Sequence, residues 1–214
     1  MNRMRIDHVC YAAESDGMVA TARRLAGLLG VPARDGGVHP RFGTRNMILP
    51  LAQGRYLEVV EVLDHPAADK APFGQAVRAR SVTGGGWVAW VVAVDDLTDI
   101  ETRMGRTAVR GHRYTPEGID LSWKQIGIQG LIADPQLPYF VHWDSMEHHP
   151  STLAQSQAQL TALQISGNPD RVREWLGLSE PGTWEGDIDF DFRPNGAPSL
   201  QSVTFRTPSG EVVI

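Results

Sequence analysis

A single cysteine, Cys10, stands among the 214 residues. No intrachain disulfide can form, and no cysteine-rich zinc site exists. Cys10 lies in a run of strand-forming residues and reads as a small core side chain rather than a nucleophile. No basic run or basic helix is present, and the net charge is −5 with a pI near 5.8. That balance argues against nucleic acid and against an anionic membrane as partners. No apolar stretch approaches the roughly 20 residues that span a bilayer. The opening residues, MNRMRIDH, run into a strand without the apolar core of a signal peptide. The expectation is a cytoplasmic globular protein, long enough for one large domain or two small repeats.

What is present is a repeated strand–helix opening. Ile6–Ala13 (IDHVCYAA) reads as a strand, with Ile6, His8, Cys10 and Ala12 on one face. Glu14, Ser15 and Asp16 offer N-caps for a helix carrying Val19, Ala22, Leu25, Ala26 and Leu29, stopped by Gly30 and Pro32. The breaker-rich segment Gly36–Thr44 reads as a loop or edge strand, followed by strands at Arg45–Leu51 and Tyr56–Leu63. After Gly84-Gly85-Gly86 the pattern restarts, with a strand at Trp87–Val94 and a helix capped by Asp95-Asp96. Strands at Ala108–Tyr114, Leu121–Ile126 and Leu137–Trp143 complete that unit. A third opening follows His148-His149-Pro150-Ser151, which reads as a solvated linker. Gln159–Ser166 is its strand, and Asn168-Pro169 starts a helix ended by Gly177. The expected fold is α+β: βαβββ modules at about 5–65 and 84–145 make a paired unit over 1–150. They form a curved, cup-like mixed sheet, and residues 151–214 add a third partial module packed on it.

The strand YLEVVEVL carries one carboxylate on each face, Glu58 beside Tyr56, Val60 and Val62, and Glu61 beside Leu57, Val59 and Leu63. A glutamate among apolar neighbours is solvated at an edge, paired, or placed for chemistry.

These features resemble the vicinal oxygen chelate superfamily and, within it, the glyoxalase-like domain proteins. The resemblance rests on Ile6-Asp7-His8, on GGVHPRFGTRN at Gly36–Asn46, and on Tyr56-Leu57-Glu58. It continues in Val94-Asp95-Asp96-Leu97 and in LPYFVHWD at Leu137–Asp144. It implies the glyoxalase/bleomycin resistance/dihydroxybiphenyl dioxygenase-like cup, with metal ligands from the first and last strands of each module. Carried over, the ligands fall on His8, Glu58 and His142, with Glu58 also the catalytic carboxylate. The opening strand of the second module offers Trp87, Ala89 and Trp90 where a histidine is expected, so one ligand is absent. Two histidines and a carboxylate suit Fe, Mn or Zn, and no organic cofactor is implied.

A base separate from the ligands is then needed, and Glu61 is unsuited because it lies on the opposite face. His39, Arg45, Asn46, Trp123 and Phe140 are the expected ligand-binding residues, with Arg113 a further partner for the polar groups. Trp143 and His142 alternate, so at most one of them faces the cleft. The resemblance implies a metal-dependent lyase, isomerase or dioxygenase acting on a small oxygenated metabolite. The alternative is a non-catalytic cup that sequesters a small molecule, as bleomycin-resistance proteins do. Either is compatible with a monomer or a homodimer, and residues 160–214 could cover the edge where relatives dimerise.

Overall fold

The computed structural model describes residues 3–178 and 186–214; Met1 and Asn2 of the opening run lie outside them. The first unit comprises β1 (Met4–Ala12), α1 (Met18–Leu29), β2 (Arg34–His39), β3 (Thr44–Leu51) and β4 (Arg55–Val62). Two helices, α2 (Pro66–Lys70) and α3 (Pro72–Ser81), connect it to the second. That unit comprises β5 (Gly86–Val94), α4 (Thr98–Met104), β6 (Val109–Tyr114), β7 (Asp120–Ile126) and β8 (Tyr139–Trp143). The third has β9 (Gln159–Ser166), α5 (Pro169–Leu176), β10 (Asp189–Arg193), β11 (Ser199–Thr207) and β12 (Gly210–Val213).

The first two units share one pairing scheme. In each, the opening strand runs parallel to the last strand, β1 with β4 and β5 with β8, and the middle strands are antiparallel. Antiparallel pairing of β1 with β5 joins the units at one seam, and Val38 opposite Tyr114 joins β2 to β6 at the other. The sheet therefore closes into an eight-stranded barrel in the order β1-β4-β3-β2-β6-β7-β8-β5. The third unit keeps the element order but not the pairing. Its β9 runs parallel to β10 and antiparallel to β11, giving a separate sheet in the order β10-β9-β11-β12.

Alternation along the strands divides the apolar side chains between two cores. Leu57, Val59, Val92 and Phe140 face outward and pack with α1 and with Leu163 and Phe205 of the second sheet. Cys10, Val60, Ala89, Val91 and Val141 face inward, where Phe73 and Val77 of α3 pack against them. Helix α1 buries Met18, Ala22, Leu25, Ala26 and Leu29 and ends at Gly30 in the left-handed conformation. Its start differs from the expectation: Gly17 is the cap residue and makes no side-chain bond. Glu14 and Asp16 are instead drawn to Arg24, at 2.7 and 2.8 Å. Helix α5 follows its sequence signals, with the Asn168 side chain accepting from the Asp170 amide and Gly177 as its left-handed stop. No helix among the described residues is long and apolar enough to cross a membrane.

Gly37 sits beside the narrow β2–β6 seam with φ +99°, and a Cβ there would meet the Tyr114 carbonyl oxygen at 2.0 Å. Only glycine fits this approach. Gly37→Ala is expected to destabilise the fold by about 2–3 kcal/mol through strain and a lost seam contact. A lower urea midpoint at unchanged slope, with faster amide exchange in β6, is the measurement that checks it.

Candidate functional site

Two strands that are neighbours in the barrel carry the polar centre. In β4, Tyr56 and Glu58 point into the barrel, whereas Glu61 points out and accepts from Arg45 Nε at 2.5 Å. In β1, a bulge at Asp7 sets Ile6 opposite Val92 and His8 opposite Val91. That extra residue breaks the expected shared face: Ile6 joins the outer core while His8 and Cys10 point inward. The parallel register then places Cys10 opposite Glu58 and His8 opposite Tyr56.

Each inward group is held by its neighbours. His8 Nδ1 lies 2.9 Å from Asp7 Oδ2. A carboxylate can only accept, so Nδ1 carries the proton and Nε2 presents its lone pair to the cavity. There it accepts from the Tyr139 hydroxyl at 3.3 Å, while the imidazole stacks on Tyr56 at 4.3 Å. Asp7 is itself buried and is also contacted by His149 Nε2 at 3.2 Å, Arg5 at 3.0 Å and Trp143 Nε1 at 3.1 Å. Glu58 accepts from Asn46 Nδ2 at 2.6 Å and from the Cys10 thiol at 3.1 Å. His39 Nε2 stands 3.9 Å from the same carboxylate, with Nδ1 against Thr44 Oγ1 at 3.0 Å.

The electrostatics follow from burial and pairing. Burial alone would raise the Asp7 carboxyl, but its hydrogen bonds with His149 and His8 prevail and hold it far below the carboxylate range. Burial likewise opposes ionisation of Glu58; attraction to His39 and His8 and the Cys10 and Asn46 hydrogen bonds outweigh it, and the pKa is lowered. Burial pushes His39 down to about 4, with Arg113 and His8 adding to the effect and Glu58 opposing it. Burial, then the Glu58 charge, pushes the Cys10 thiol well up. Burial lowers the Arg113 guanidinium.

His8, Glu58, His39, Asn46 and Trp123 all line one inner cavity of about 30 Å³. Three other expected residues do not reach it. His142 alternates with Trp143 on β8; Trp143 faces the cavity, and half-buried His142 turns outward to the Val94 carbonyl at 3.2 Å. Phe140 shares the outward face and is fully buried in the outer core. Arg45 is exposed and paired with Glu61. All three corrections have one cause, the two-residue period of a strand. The His148-His149 reading also changes in part: His148 is exposed, but His149 is fully buried against Asp7 and Tyr56.

Arg113, expected as a partner for the polar groups, lines the cavity, as does Tyr139, which the sequence did not single out; Cys10, expected as a core side chain, contacts both Glu58 and Tyr139. The signal for Cys10 was its spacing of two from His8 on one strand. His8, Cys10 and Glu58 present ligand atoms that all lie within 4.8 Å of one another. The nitrogen, sulfur and oxygen donors suit a divalent metal such as Zn or Fe. Asp7 supports His8 as an outer-sphere carboxylate orients a metal-bound imidazole. A cation would also reverse the raised pKa of the Cys10 thiol. The donor set therefore fits a metal, with Cys10 standing where His142 was expected.

A barrel of paired βαβββ units, with its polar centre on the first and last strands of one unit, defines a glyoxalase-like fold. A family model described as "Glyoxalase-like domain" matches residues 6–179. The chain belongs to that family. No curated protein sequence matches it. A hypothetical protein from Staphylococcus aureus is similar in structure, with 15% identity, TM-score 0.72, and coverage of 94% of this chain and 90% of that one. Methylmalonyl-CoA epimerase from Mycobacterium tuberculosis matches at 14% identity and TM-score 0.42, over 64% of this chain and 85% of that one. A variant of the Streptomyces coelicolor methylmalonyl-CoA epimerase in complex with 2-nitronate-propionyl-CoA matches at 18% identity and TM-score 0.45, over 66% and 98%.

The depressed pKa of His39 has a consequence for stability. In the unfolded chain His39 binds a proton below its ordinary value of 6.5, but in the folded chain only near 4. Stability supplied by the neutral buried ring is thus complete above about pH 7 and lost as the pH falls. Between about pH 7 and pH 4.5 the protein is expected to lose about 2–3 kcal/mol more than His39→Gln. Urea titrations of both proteins at the two pH values measure the difference.

Proposed function

We propose that the cup binds a small oxygenated metabolite bearing an anionic group, and acts on it as a metal-dependent isomerase or lyase. The observation that carries this reading is a buried cation, Arg113, with one nitrogen left without a protein partner. Arg113 Nη1 and Asn46 Oδ1 belong to residues that line the cavity of His8 and Glu58, and each lacks a hydrogen bond. Buried polar groups are satisfied as a rule, so Arg113 Nη1 calls for a ligand that accepts from a cation; Asn46 Oδ1 instead packs against Gly36, where a Cβ would meet it at 2.0 Å. The amide cannot be reversed without turning its NH₂ away from the Glu58 carboxylate. A carboxylic or hydroxy-carbonyl compound supplies the acceptor for Arg113.

His8, Cys10 and Glu58 would hold the metal. Bound there, a divalent metal supplies Lewis-acid stabilisation of negative charge on substrate oxygens. The remaining side chains perform separate tasks. Asp7 keeps the His8 proton on Nδ1 and leaves Nε2 free to coordinate. Arg113 anchors the anionic group in a low-dielectric wall, where a charge-assisted bond is strong. His39, kept neutral by burial, has the capacity to accept a proton beside the carboxylate. Trp123 and Trp143 exclude water and restrict the ligand's orientation.

The sequestration reading has its own support. His8, Cys10, Glu58 and Tyr139 already satisfy one another by hydrogen bonds, so the cluster is self-consistent without a cation. Metal analysis separates the two. Purified anaerobically without a histidine tag, the protein is expected to take up one Fe(II), Mn(II) or Zn(II) per chain. His8→Ala should abolish uptake, and Asp7→Asn should weaken it by roughly 10- to 100-fold. A chain that takes up none of the three metals is not a metalloenzyme, and the sequestration reading then stands. Quenching of tryptophan fluorescence by a panel of hydroxy and keto acids tests the ligand class. Arg113→Gln should weaken the strongest hit by roughly 10-fold or more.

A further inference from the structure

The inner cavity, at about 30 Å³, is far below the roughly 300–1,000 Å³ typical of sites that enclose a whole small molecule. It does not end blindly. Phe42, Phe73, Gln125 and Ile128 line it and also line a second, outer cleft of about 680 Å³. That volume falls within the roughly 300–1,000 Å³ typical of small-molecule sites. The Phe42 and Phe73 rings meet edge to face, 6.1 Å apart, where the two spaces adjoin.

The cleft has a one-sided charge. Arg41, Lys70 and Arg106 line it, and among the described residues no aspartate or glutamate does, in a chain whose net charge is −5. Three separate segments supply these cations: the turn after β2, the end of α2 and the turn after α4. Arg41 donates to the Arg110 carbonyl at 2.9 Å and Arg106 to Gln129 Oε1 at 2.5 Å. These bonds steady the two guanidinium groups but leave their charges uncompensated. Among the described residues, none of the three cations has a carboxylate within ion-pair distance. Pro72, Phe73 and Ile126 give the cleft apolar lining, and Gln125 is a polar residue shared with the inner cavity.

We propose that the outer cleft is a subsite for the tail of an elongated amphipathic ligand. The tail ends in a phosphate or carboxylate that Arg41, Lys70 and Arg106 receive. An apolar middle lies on Phe73 and Ile126, and an oxygenated head passes Phe42 and Phe73 toward Arg113 and Glu58. The inference rests on the reading of the cup as the place where the head group is bound. It narrows the substrate class from any small oxygenated anion to one anionic at its far end as well. Clustered cations without counter-ions raise the local concentration of such a ligand and orient its approach.

Calorimetry with simple probes tests the subsite directly: octyl phosphate, octanoate, 1-octanol and inorganic phosphate, each at low and at high salt. Octyl phosphate or octanoate is expected to bind once per chain, at least 10-fold more tightly than 1-octanol or inorganic phosphate, and more weakly at high salt. The better of the two probes identifies the anion. Lys70→Glu and Arg106→Glu, both at exposed positions, should each weaken it by at least 5-fold, and Arg23→Glu on the far helix α1 should not. Metal uptake is measured on the same variants. Retained metal together with equal binding of 1-octanol and octyl phosphate overturns the cleft and leaves the proposed function standing. Loss of affinity in Arg23→Glu as large as in Arg106→Glu also overturns it. Absence of metal with the expected charge dependence removes the enzymatic reading and supports the cleft.

Discussion

The site depends on one buried carboxylate. Asp7 occupies the bulge of β1 with no exposure, and His8, His149, Trp143 and Arg5 all converge on it. A lone charge in such a position would cost several kcal/mol, and removing the partners of a buried ion typically costs about 3–5 kcal/mol. Its partners come from β1 itself, from β8 and from the segment before β9. One carboxylate therefore ties the opening strand to the end of the second unit and to the start of the third. The same bond that makes Asp7 tolerable also sets the His8 tautomer, so fold stability and site chemistry share one interaction.

The two barrel units are alike in pairing but unlike in chemistry. The first supplies His8, Cys10 and Glu58, all clustered on the adjacent strands β1 and β4. The second supplies Arg113, Trp123 and Tyr139, which are a cation, an aromatic wall and a hydroxyl. Where its opening strand meets the site, Ala89 lies opposite Cys10 and brings no donor. A centre built this way is one-sided, and the opposite wall is free to grip and shape a ligand. The outer cleft extends that division, because its cations arise from loops and a helix end outside the barrel strands.

Much of the fold was legible in short-range patterns. Tyr56–Leu63 alternates, and the structure keeps Glu58 and Glu61 on opposite faces. Asn168-Pro169 and Gly177 bound a helix as their backbone preferences require. The recurrence of strand–helix openings announced the paired units. The failures arose where a local rule met a distant partner. Glu14 and Asp16 look like caps, but Arg24 draws them away. His8 and Ile6 look like one face, but the bulge at Asp7 separates them. His149 looks like linker, but a buried carboxylate more than a hundred residues earlier claims it. The third unit repeats the order of elements, yet β11 pairs with β9 directly, and no sequence period specifies that choice.

The sequence by itself determined the element types, the alternation that turns Glu58 and Trp143 away from Glu61 and His142, and the family to which these motifs point. Those are consequences of backbone geometry over a few residues. Only the tertiary structure decided that Cys10 joins His8 and Glu58, that Arg113 lines the cavity with an unmatched nitrogen, and that three cations from two turns and a helix end border one cleft. Such outcomes depend on strand register, barrel closure and burial. Those are set by contacts between residues far apart in the chain, which no local pattern encodes.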